Sequence, residues 1–117
     1  MSTTLKEGIK YDTDKARYDL ISAYSLHELA KVYTYGAKKY EDRNMEKGMK
    51  WGRIFGAAMR HAWAFWRGDE VDSESGLPHL AHCAWGFITL LEYSKYRREF
   101  DDRSQFSKEI DCDKTDK

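Results

Sequence analysis

The chain has one proline, Pro78, two cysteines, Cys83 and Cys112, and no net charge. A single proline and eight scattered glycines leave no linker composition to divide 117 residues, so one domain is expected. Two cysteines make no disulfide framework. Cys83 falls in an apolar stretch and Cys112 in a charged tail, which points to a reduced, intracellular setting. No apolar run is long enough to cross a bilayer, and the first ten residues lack the apolar core of a leader peptide, so no membrane role is expected. Twenty basic and twenty acidic residues cancel, which argues against a duplex nucleic-acid partner. The balance is uneven: residues 99–117 hold seven acids and four bases, so the remainder carries a surplus of three positive charges. A modestly basic body suits a small anionic ligand, although an ordinary solvated surface has the same composition.

What is present is helical periodicity. Ser25-Leu26-His27-Glu28 fits a capping box with Ser25 as N-cap, followed by an apolar stripe at Leu26, Leu29, Ala30 and Tyr33. Gly36 is a candidate end for that helix, or it continues through Tyr40. Residues 41–50 read as a polar loop. A second helix is expected from Trp51 to Trp66, with Trp51, Ile54, Phe55, Ala58, Ala62, Phe65 and Trp66 on one face. Residues 69–76 form an acidic loop. Pro78 then suits the first turn of a third helix, with a stripe at Leu77, Leu80, Ala81, Ala84, Ile88 and Leu91. Its other side carries His79, His82, Gly86, Leu90 and Tyr93, so both sides are expected to be buried, and self-association is the expected cover. The fold class is therefore all-α: a small helical bundle over residues 1–98, completed by homo-oligomerisation, with a charged, mobile tail from 99 to 117.

Chemistry concentrates between Arg60-His61 and His82. Asp72 and Glu74 arrive beside the start of the third helix, whose free backbone N–H groups favour anions. His79 and His82, three apart, share a face. Carboxylates and imidazoles converging in this way can hold a divalent metal and orient water. The plainer account is that the histidines are hydrogen-bonded core residues, that Asp72 and Glu74 favour the helix dipole, and that Glu28 serves its cap. Lys38 and Lys39, beside a possible helix end, suit phosphate, or are simply a solvated pair; Lys15, Arg17 and Arg60 have the same two readings. No phosphate-binding glycine loop, serine nucleophile elbow, zinc-finger spacing or His-Asp doublet is present.

Lys10-Tyr11-Asp12 with Lys15, Arg17 and Asp19-Leu20-Ile21, then Gly36-Ala37-Lys38-Lys39-Tyr40 with Arg43-Asn44, resemble a phage and prophage family. Arg60-His61, Gly68-Asp69-Glu70, residues 72–76, His79 and His82 continue the match. The family is the dATP/dGTP diphosphohydrolase N-terminal domain, which resembles the all-α, MazG-like nucleotide pyrophosphohydrolases. The resemblance implies a metal-dependent hydrolase of purine deoxynucleoside triphosphates in host cytoplasm, with a non-catalytic, sponge-like nucleotide binder as the alternative. MazG-like enzymes pair E-x-x-E with E-x-x-D. Here Glu28 is followed at i+3 by Lys31, and His79 and His82 stand where the second carboxylate pair aligns. The implied cofactor is Mg²⁺ or Mn²⁺, with imidazoles favouring Mn²⁺. The expected ligands are Glu28, Asp72, Glu74, His79 and His82. Lys15, Arg17, Lys38, Lys39, Asn44 and Arg60 are expected to bind substrate, with His61 and Glu74 as catalytic groups.

Overall fold

A computed structural model describes residues 5–106, and among these the chain is all-helical with no strand. Helix α1 spans Ala23–Lys39, α2 Trp51–Trp66 and α3 His79–Tyr96. A 3₁₀ turn at Asn44–Lys47 lies between α1 and α2.

Helix α1 starts one turn earlier than the capping box suggests. Its N-cap is Ser22, whose Oγ accepts the Ser25 N–H at 3.2 Å, so Ser25 is itself an early helical residue. Glu28 is thereby freed from capping and pairs with Lys31 at 2.8 Å. The helix runs through Gly36 to Lys39, and the Tyr40 N–H closes on the Gly36 carbonyl at 2.9 Å. The inward face is also rotated: Val32 is buried and Leu29 and Tyr33 are half-buried, while Leu26 and Ala30 face outward.

Helices α2 and α3 form an antiparallel hairpin. Trp51, Ile54 and Tyr93 make its buried core, extended by Met49, Trp85, Leu90 and Phe100. Tyr93 is only 1% exposed, and its hydroxyl donates to the Met45 carbonyl at 2.6 Å, so burial leaves no polar atom stranded. The helices approach closely at Gly86. A Cβ there would lie 2.8 Å from Ala58 Cβ, so the missing side chain sets the spacing. Gly48 has a comparable role under Phe100. Its φ is +97°, and an added Cβ would strike that ring.

Of the expected α3 stripe, the chain itself buries Ala81 and half-buries Leu77, and its other contacts come from the opposite face. His79, Cys83, Gly86 and Tyr93 turn to α2, and Trp85 packs edge-on against Tyr33 of α1. Leu80, Ala84, Ile88 and Leu91 stay exposed. Periodicity identified two apolar faces but not which would be filled, because Gly86 and Thr89 carry little hydrophobic signal yet permit the tighter contact. On α2, Trp51, Ile54 and Ala58 are buried as expected, whereas Phe55 and Trp66 are exposed.

The segment after α3 is partly packed. Lys50 gives α2 no side-chain cap; instead the Asp102 carboxylate accepts the Gly52 N–H at 2.8 Å. Trp51 Nε1–H donates to the Arg97 carbonyl at 3.1 Å, and the Arg103 guanidinium lies 4.9 Å from a Trp51 ring centroid. Packing thus extends past residue 98; the rest of the expected mobile tail, from 107, lies outside the described residues.

Helix α1 packs on α3, leaving a groove between α1 and α2. Its C-terminal end is fastened across that groove: Tyr35 Oη and Lys39 Nζ both donate to Glu74 Oε1, at 2.8 and 2.7 Å.

Two predictions follow from this packing. Gly86→Ala gains helix propensity of up to about 1 kcal/mol, but the overpacking against Ala58 costs about 1–3 kcal/mol. Urea denaturation is expected to show a net loss of about 1–2 kcal/mol. The second concerns the Glu74 carboxyl, which Lys39 and then the Tyr35 hydroxyl hold below its usual 4.5. A depressed folded-state pKa favours the ionised form. The fastening is therefore complete above pH 4.5 and is lost as the pH falls through the lower folded-state value. NMR titration is expected to place Glu74 below 4.5 and to return it towards that value in Lys39→Ala.

Candidate metal centre and nucleotide groove

The acidic loop folds back on itself before α3 begins. Gly76, at φ +74°, turns the chain. Asp72 N–H donates to the Leu77 carbonyl at 2.9 Å, and Val71 bridges Pro78. The Asp72 carboxylate accepts the Ser75 N–H at 2.8 Å, and Ser75 Oγ accepts the Leu77 N–H at 3.1 Å. These local bonds hand Asp72 back to the start of α3, where Pro78 is the N-cap and His79 the first helical residue.

Three imidazoles meet there. His61, from α2, places Nδ1 2.8 Å from Nδ1 of buried His79. Its ring stacks on His82, with centroids 4.6 Å apart and planes 12° off parallel. His82 Nε2 is engaged by Ser75 Oγ at 2.7 Å and lies 3.9 Å from Asp72 Oδ2. His61, Asp72 and His79 each offer one ligand atom, and these atoms lie within 4.8 Å of one another.

Ionisation states favour coordination. Burial pushes the His61 imidazole down, and the neighbouring His82 and His79 push it the same way. Burial also pushes His82 down, against the opposing pull of Asp72. For Asp72 burial pushes up, but the Ser75 backbone N–H and hydroxyl outweigh it and hold the carboxyl below its usual range. Neutral imidazole and ionised carboxylate are the ligand forms. His79 Nε2 is buried with no hydrogen bond among the described residues, and Asp69 Oδ2 lies 3.3 Å away. Two facing imidazole nitrogens, an ionised carboxylate and an orphaned ring nitrogen fit a divalent transition metal.

This cluster stands at one end of a groove of about 1030 Å³. Gly52, Arg53, Ile54, Ala57, Arg60 and His61 form its α2 wall; Val32, Tyr35, Gly36 and Lys39 form its α1 wall. Arg43, Asn44, Met45 and Met49, from the connection between α1 and α2, and Trp85 of α3 complete the lining. Arg43 holds the left-handed conformation at φ 56°, uncommon for a non-glycine residue.

The expected site residues divide. Lys39, Asn44, Arg60, His61, Asp72, Glu74 and His82 all line the groove, and His79 joins the metal-capable group behind it. Lys38 does not line it: one residue along a helix turns about 100°, so only Lys39 faces Glu74. Glu28 lies outside the metal-capable group, two turns before Tyr35. Glu74 is also outside that group, held by Lys39 and Tyr35. Lys15 and Arg17 sit on the exposed segment before α1, with Arg17 paired to Asp19 at 2.7 Å.

Sequence reading left out Tyr35 and Arg53, and gave Asp69 and Ser75 no role beyond membership of the acidic loop and the matched motifs. Arg53 had a usable signal, since it precedes Arg60 by two turns on one helix face. Ser75 had none, because its contact with His82 exists only once the loop closes.

Comparison with known proteins gives the same grouping of motifs a family. The family model for the N-terminal region of dATP/dGTP diphosphohydrolase matches residues 6–103. A protein of Salmonella phage PMBT28 named dATP/dGTP diphosphohydrolase is 35% identical over 96 residues, covering 82% of this chain and 33% of the relative. The chain thus corresponds to about a third of that relative's length. No solved structure matches. By the span that the family model matches, this chain belongs to the dATP/dGTP diphosphohydrolase N-terminal family.

Proposed function

We propose that the groove is the site of a metal-dependent nucleotide pyrophosphohydrolase acting on purine deoxynucleoside triphosphates. One observation carries the reading: His61, Asp72 and His79 converge at the end of a groove walled by Arg53 and Arg60. Those three residues would hold Mn²⁺ or Mg²⁺, with two imidazoles favouring Mn²⁺. A bound divalent ion supplies Lewis acidity and a lowered pKa for water. Arg53 and Arg60 neutralise the phosphates, Trp85 offers the base a stacking surface, and His82, fixed by Ser75, is placed to carry a proton. In this reading His61 is a ligand rather than the proton carrier, and Glu74 fastens α1 rather than activating water. The products are a deoxynucleoside monophosphate and pyrophosphate. Kinship with MazG-like enzymes, location in host cytoplasm and homo-oligomeric assembly belong to the same proposal.

The second reading is a non-catalytic nucleotide binder. It is favoured by the length relationship: the relative named for the activity carries about two thirds of its chain beyond the matched region. Incubation with dGTP and dATP under Mg²⁺ or Mn²⁺, with products resolved, separates the two. Turnover is expected, and Asp72→Asn is expected to lower it by about a hundredfold or more. His79→Ala is expected to weaken Mn²⁺ binding by about tenfold or more in calorimetry on folded protein. Recovery of intact nucleotide with every metal would favour the binder.

A further inference from the structure

The run Gly68-Asp69-Glu70 has no role in the proposed function, yet the fold carries it directly to His79. Two backbone devices do so. At the end of α2, Gly68 takes φ +97°. The Gly68 N–H donates to the Phe65 carbonyl at 2.9 Å and the Asp69 N–H to the Ala64 carbonyl at 3.0 Å, the paired bonds that close a helix through a left-handed residue. Beyond Asp69 the loop zips against the start of α3. The His79 N–H donates to the Glu70 carbonyl at 2.9 Å, Val71 bridges Pro78, and the Asp72 N–H donates to the Leu77 carbonyl. Asp69 is thus held from both sides, by the helix end before it and by the zipped loop after it.

The two nitrogens of the His79 ring have different surroundings. Nδ1 faces His61 Nδ1 at 2.8 Å, on the side where the two rings can share a metal. Nε2 is buried and makes no hydrogen bond among the described residues. The nearest carboxylate oxygen, Asp69 Oδ2, is 3.3 Å from it on a side chain 63% exposed, so a small rotation of that side chain supplies the missing acceptor. In a neutral imidazole one nitrogen carries the proton and the other a lone pair. An acceptor at Nε2 holds the proton there and leaves Nδ1 bare. The contact between the two Nδ1 atoms then takes its single proton from His61.

We propose that Asp69 is a positioning residue. Its carboxylate accepts from His79 Nε2–H, fixes the orientation and tautomer of the ring, and so presents Nδ1 as a metal ligand. Asp69 is not one of the three residues whose ligand atoms converge; it acts through His79. Outer carboxylates of this kind orient metal-binding imidazoles and raise their basicity. The positioning role rests on the metal centre of the proposed function, whereas the pairing of Asp69 with His79 stands without it.

Side-chain ¹⁵N NMR of the metal-free full chain above neutral pH reads the tautomers and needs no variant. His79 is expected as the Nε2–H form and His61 as the Nδ1–H form. In Asp69→Ala, His79 is expected to lose its preference for Nε2–H. Calorimetry is expected to show Mn²⁺ affinity weakened by about tenfold. Asp69→Asn keeps an oxygen in the same place and is expected to retain the tautomer and most of the affinity. Glu70→Gln removes a like charge one residue along and is expected to change neither. A wild-type His79 that is Nδ1–H or doubly protonated, or an Nε2–H form unchanged in Asp69→Ala, overturns the pairing. A lost tautomer with undiminished Mn²⁺ affinity, or equal losses of affinity in all three variants, overturns the positioning role. A wild type with the expected tautomers that binds neither Mn²⁺ nor Mg²⁺ refutes the metal centre of the proposed function and the positioning role with it, and leaves the pairing established.

Discussion

The close approach of α2 and α3 at Gly86 governs the site. With Ala58 facing a residue that has no side chain, the two backbones come near enough for His61 to meet His79 and stack on His82. A larger residue at either position would part the helices on the side where the imidazoles meet. Close-packed interiors transmit such changes rather than absorbing them. The same contact turns Tyr93 inward, where its hydroxyl reaches the Met45 carbonyl and ties the α1–α2 connection to the hairpin.

Around this contact, polar groups are gathered at a cost in desolvation. Three half-buried or buried histidines share a small volume, and desolvation keeps two of them towards the neutral form. His79 Nε2 makes no hydrogen bond among the described residues, with the Asp69 carboxylate 3.3 Å away; a buried polar atom left unpaired costs about 1–3 kcal/mol. Such an arrangement is a poor way to stabilise a core. It is a consistent way to hold ligand atoms ready, since His61 is kept towards the neutral imidazole and Asp72 towards the carboxylate.

The groove exists because α1 packs on α3 and stands off from α2. Its α1 wall is fastened by one carboxylate, Glu74, which accepts from Tyr35 and Lys39 together. That carboxylate links the acidic loop to the opposite wall, so the loop that presents Asp72 also sets the groove's width. The two lysines of the Lys38-Lys39 pair separate here: one joins the wall and the other meets solvent.

Much of this was legible in the chain itself. The apolar period of residues 51–66 fixed α2 at the bounds observed, because Trp51, Ile54 and Ala58 repeat at helical spacing. The motif residues around His61, Asp72 and His82 marked the candidate site, since local spacing already placed them on two helices and in the loop between. Tertiary structure decided the rest. Ser22 displaced Ser25 as cap, because either hydroxyl satisfies the local pattern and only the packing of α1 sets its start. Which face of α3 is buried was settled by backbone approach at Gly86, a property no hydrophobicity pattern encodes. The separation of Lys15, Arg17 and Glu28 from the groove likewise depends on the path of the chain through space. Short-range periodicity fixes which residues share a helix face; the distances between faces belong to the packing.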